Sequence, residues 1–180
     1  MSDPLVMPLV EEILACYAVE LDKLDDPPGS VGVRPGTTVD FLMSMTEDEC
    51  CAGLAWVRPA AFYPSSAGFP GQDATAQKQG TRAWAVTLEL GYVRCAPTPD
   101  GSSIPSNDEW RAVTQAVMDA AAAMRRALCC WSDTSPSRWQ KLLPGAWSPV
   151  AVQGGCVGGV LSATFMGPAC DCSESGPSSS

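Results

Sequence analysis

The chain contains no histidine among its 180 residues. That absence excludes Ser-His-Asp and Cys-His nucleophilic catalysis, imidazole general-base chemistry and every metal site that needs a histidine ligand. No run approaches the roughly eighteen consecutive apolar residues that a membrane-crossing helix needs. Positive charge is scarce, with 11 Lys and Arg against 20 Asp and Glu, for a net charge of −9. The deficit sits at the front. Residues 1–50 hold eleven acids and two bases, and the remaining 130 hold nine of each. Such a front half repels phosphate, so binding of nucleic acid through neutralised phosphates is disfavoured, while passage of DNA without sticking is compatible with it. The opening MSDPLVMPLVEEIL has no basic n-region and carries acids inside its apolar stretch. That composition argues against a secretory signal and predicts assembly in the cytoplasm.

What is present reads as an ordinary globular domain. Hydrophobic residues make up 46% and charged residues 17%, in a chain long enough for one core and short for two. Asp3 and Pro4 suit the start of a helix. From there Leu5, Leu9, Ile13, Tyr17, Leu21 and Leu24 fall on one helical face, widened by Val6, Val10, Leu14 and Cys16, with the acids outside. DDPPGS ends that helix. Residues 30–49 predict a loop with a short strand, TTVDFLM. CAGLAWVRPAAFY follows as an extended segment with Leu54, Trp56 and Phe62 as core candidates. Residues 64–81 predict a long exposed loop. In RAWAVTLELGYVRC, Trp84, Val86, Leu88, Leu90 and Tyr92 alternate with Ala85, Thr87, Glu89 and Gly91, the period of a strand with one buried face.

A second helix is signed by Ser106 and Glu109 in capping-box spacing. Trp110, Val113, Val117, Ala120, Met124, Leu128 and Trp131 form its stripe. AWSPVAVQ and GVLSATFM predict two closing strands. Together these give an α+β fold, a mostly antiparallel sheet packed against two main helices. Residues 1–167 form the single domain, and the Ser/Gly/Pro-rich residues 168–180 form a tail.

Nine cysteines raise three possibilities: a metal site, disulfides, or buried thiols acting as small apolar fillers. Zinc is disfavoured because paired Cys-x₂₋₄-Cys knuckles are absent. Thiol exchange is disfavoured because Cys-x-x-Cys at a helix start is absent as well. For disulfides the candidates are Cys50 or Cys51, before one strand, and Cys129 or Cys130, at the end of the long helix. Oxidation would follow release into an oxidising medium. An acidic turn at Glu47, Asp48 and Glu49 reads either as a solvated face or as a channel lining.

The stretch WSPVAVQGGCVGG sets Gly154, Gly155, Gly158 and Gly159 around Cys156, shortly after Trp147. A phosphate loop would need a following helix, and the β-branched VLSATFM comes next instead. The cluster therefore predicts a structural bend between two strands, placed at a contact with another chain.

Three segments carry a resemblance: RAWAVTLELGYVRCAPTPD, DEWRAVTQAVMDAAAAMRRALCC and LLPGAWSPVAVQGGCVGGVLSATFM. They look like a family of small head-to-tail connector proteins of long-tailed, siphovirus-like phages of actinobacteria. The likeness spans roughly residues 50–166 and is most specific in W-x-P-x-x-x-Q-G-G-C-x-G-G. The first 49 residues match only in having an amphipathic helix, and the tail does not match. The order α-β-β-β-α-β-β is similar to that of tail terminators. The resemblance implies a structural virion protein of the neck, forming a hexameric ring that caps the tail tube. The major tail tube protein would lie below it and the head stopper or adaptor above. Genomic DNA would pass through the lumen without specific binding. No catalysis, cofactor, metal or membrane is implied. Within the same class, a stopper ring or minor tail protein is the alternative. Outside it stand a cysteine-rich metal-binding module and an enzyme using Asp/Glu pairs, though neither Glu11-Glu12 nor Asp25-Asp26 is expected in a pocket.

Overall fold

The computed structural model describes residues 5–35, 51–65, 68–72, 83–99, 104–134, 139–153 and 155–168. The expected Asp3-Pro4 cap, the TTVDFLM strand, Glu47, Asp48, Glu49, Cys50, Gly154, most of the 64–81 loop and the tail beyond residue 168 lie outside the described residues.

The chain runs α1 (Val6–Leu21), β1 (Ser30–Val33), β2 (Leu54–Pro64), β3 (Ala83–Cys95), α2 (Asn107–Thr134), β4 (Lys141–Gln153) and β5 (Cys156–Pro168). The strands form one sheet in the order β1-β2-β3-β5-β4. β1 pairs parallel with β2, and every other pair is antiparallel. This is the α+β architecture that the periodicities predict. The observed early strand is SVGV at residues 30–33.

Alternation explains the two faces of the sheet. Val86, Leu88, Leu90 and Tyr92 of β3 join Ala55 and Val57 of β2 and Leu161, Ala163 and Phe165 of β5 in the main core. Leu9, Ile13, Tyr17 and Leu21 of α1 and Val117, Ala120, Met124, Leu128 and Trp131 of α2 close over them. Leu54, Trp56, Val93 and Cys156 make a smaller cluster from the alternate residues. Trp131 meets Phe165 edge-on, with ring centroids 4.8 Å apart at 85°. Such a pair adds roughly 0.5–1.5 kcal/mol beyond its buried area. The Tyr17 hydroxyl donates to the Gly91 carbonyl at 3.2 Å, and burial pushes the phenol well above its ordinary pKa, keeping it a neutral donor.

Two apolar expectations fail at the ends of elements. Phe62 is 65% exposed. The register shift between Pro59 and Ala61 sets it across from Val86, where it tilts against Trp84 at 5.8 Å outside the core. Trp110, in the first turn of α2, is 41% exposed. The stripe becomes buried only from Val117 onward. The loop after β2 is only partly free. Tyr63 Oη donates to the Pro70 carbonyl at 2.7 Å, and Ser65 Oγ donates to the Gly71 carbonyl at 2.8 Å.

The capping box at α2 forms as the spacing predicts. Ser106 N donates to Glu109 Oε2 at 2.7 Å, and Glu109 N donates back to Ser106 Oγ at 3.3 Å. The backbone bond from Ser106, followed by its hydroxyl bond, holds the Glu109 carboxyl below the usual range.

Candidate functional site

Three regions bear on function: the helix pair, the β4–β5 hairpin and a groove beside the end of α1. In the helix pair the acids do not all face outward. Glu20 is buried. It accepts from Lys23, just past the end of α1, and from Arg126 Nε of α2 at 2.7 Å. The Lys23 bond, then the Arg126 bond, lower its pKa from the ordinary carboxylate value. Glu12 accepts from Trp131 Nε1 at 3.0 Å. Amphipathic spacing alone could not separate these two acids from Glu11, which is exposed. The missing signal was the opposite element, since Arg126 and Trp131 are more than a hundred residues away.

The cysteines pair along the same logic. Cys16 of α1 bonds Cys130 of α2, with Cα atoms 5.9 Å apart. Cys51 bonds Cys95 of β3, with Cα atoms 4.5 Å apart. Cys156 is disulfide-bonded as well. Cys129 is an exposed free thiol, which corrects its place among the disulfide candidates. The reason is helical: one residue turns the direction by about 100°, so Cys130 faces α1 while Cys129 faces away. Cys51 pairs with Cys95 because β2 begins beside the end of β3, where Leu54 opposes Val93. Among the described residues, no group of three or more Cys, Asp or Glu stands close enough to hold a metal ion. No helix among them is long and apolar enough to cross a membrane.

The glycine cluster is divided by the hairpin. Gln153 opposes Cys156, and Gly155 adopts φ +78°, which L side chains rarely tolerate. Gly158 and Gly159 are not part of the bend; they lie inside β5. There they give room. A Cβ at Gly159 would sit 2.2 Å from the Trp147 ring, and one at Gly158 would sit 1.9 Å from the Tyr92 carbonyl oxygen. Trp147 lies in β4, half-buried, and packs against the main core.

β4 is an edge strand of the sheet, with β5 its one strand partner among the described residues. Most of its side chains from Lys141 to Pro149 are exposed. Pro144 and Pro149 interrupt its outer edge, and its register shifts twice, at Pro144/Trp147 and Val150/Gln153. Prolines and bulges blunt an open edge against uncontrolled strand addition. A neighbour meeting β4 would therefore use side chains rather than a continuous backbone ladder.

The groove, of about 320 Å³, is lined by Leu24, Asp25, Asp26, Arg94, Val113 and Asp119 among others. It corrects the expectation that Asp25-Asp26 lies outside any pocket. Arg94 Nη2 donates to Asp26 at 2.6 Å, and Asp119 accepts from Gln115 at 2.9 Å. The carboxylates sit over an apolar floor, an arrangement suited to a cation with an aliphatic stem.

No family model matches the chain, and no curated protein matches it.

Proposed function

We propose that this chain is a structural subunit of a phage neck, acting as the tail terminator. Copies form a hexameric ring that caps the tail tube and joins it to the head, DNA passes through the lumen, and no bond of a substrate is made or broken. The observation that carries the reading is the element order, α-β-β-β-α-β-β on a five-stranded sheet covered by two helices. This is the order that the sequence resemblance implies for tail terminators. The disulfides suit a particle that leaves the reducing cytoplasm. The acidic front half suits a channel that must not hold DNA.

Depletion of the protein during phage growth tests this directly. The expected particles are filled heads separated from tails, with tails of irregular length. Filled heads attached to full-length tails in its absence would overturn the proposal.

A further inference from the structure

The groove and the outward face of α2 carry opposite charges that are unmet among the described residues. Arg94 is paired with Asp26, but no cation pairs with Asp25 or Asp119 among the described residues. On α2, Arg126 serves Glu20, whereas its neighbour Arg125 is exposed with no carboxylate partner among the described residues. Arg125 shares a stripe with Met118, Ala122 and Cys129 at steps of three and four, and Met118 is 41% exposed.

We infer that the groove receives Arg125 of a second copy of this chain. This rests on the self-assembly reading and adds which surfaces meet. The arginine stem would lie on Leu24, Val113 and Ala116, and its guanidinium would reach Asp25 and Asp119. A chain of net charge −9 repels its own copies at a distance, and a local cation-to-carboxylate contact offsets that repulsion where two copies meet. Arg111 is the weaker donor because it sits one helical turn from Gln115, which lines the groove of its own chain. Donor and acceptor surfaces differ, so the contact is heterologous and repeats from copy to copy, as a closed ring needs.

The test is native mass spectrometry of two charge-reversed full-length variants, each checked for folding by circular dichroism. Arg125→Glu alone and Asp25→Asn/Asp119→Arg alone should each associate at least about tenfold more weakly than the parent chain. Mixed one to one, they should assemble again with alternating subunits, because every contact then sets opposite charges together. Arg111→Glu should assemble like the parent. Folded variants that assemble normally on their own, a mixture that stays monomeric, or loss of assembly through Arg111→Glu in place of Arg125→Glu would overturn the inference while leaving the ring reading in place. A parent chain that never assembles overturns both.

Discussion

Cys16 and Cys130 tie the two helices together across a sequence separation of 114 residues, one turn from the Glu20–Arg126 pair. Closing a loop of that length in the unfolded chain is worth roughly 5 kcal/mol in the chain-entropy model, and removing a native disulfide typically costs about 2–5 kcal/mol. Cys16→Ala/Cys130→Ala should therefore lower the unfolding free energy by an amount in that range. Denaturant melts of both forms under non-reducing conditions measure it. Equal midpoints would mean that the bond is not formed.

Cys129 gives a counting prediction. In the native oxidised protein an alkylating reagent should label Cys129, while Cys16, Cys51, Cys95, Cys130 and Cys156 should react only after reduction and unfolding. Peptide mapping by mass spectrometry reads this directly. Labelled Cys130 in the native chain would contradict the pairing.

Glu20 makes the helix clamp pH-dependent. Its folded pKa is lowered, so its contribution is fully present above the unfolded glutamate value of about 4.3 and is lost as pH falls through the lower folded value. Melting curves from pH 6 downward should lose stability in that acid window, and Glu20→Gln should flatten that part of the profile. At neutral pH the same substitution should cost roughly 1.5–3 kcal/mol, the range for a hydrogen bond to a charged group. An unchanged acid limb in Glu20→Gln would assign the loss to other carboxylates.

Gly159→Ala should destabilise the fold because the new methyl enters the space of the Trp147 ring. Overpacking of this kind typically costs about 1–3 kcal/mol. Pairing with Trp147→Leu, which opens that space, should make the alanine nearly neutral. A double-mutant cycle on thermal melts checks the coupling, and additive losses would deny the contact.

Much of the architecture was legible before any coordinates. The period-two run from Trp84 to Tyr92 and the capping box at Ser106 and Glu109 are local signals, and both elements form where those signals place them. Element ends were less legible, because the burial of Phe62 or Trp110 depends on what lies across from each. Partners were hardly legible at all. Glu20, Glu12 and Cys130 find theirs in elements far along the chain, and no spacing rule within one helix specifies such a contact. Gly158 and Gly159 look like turn residues in sequence, yet the structure uses them for their lack of a side chain inside a strand.

The central claim is a ring, and images of the purified full-length protein test it most directly. Class averages should show six-fold rings with an open centre, at six times the mass of the 18.9 kDa chain. Particles that remain single compact subunits, at every concentration and together with tail tubes, would contradict it.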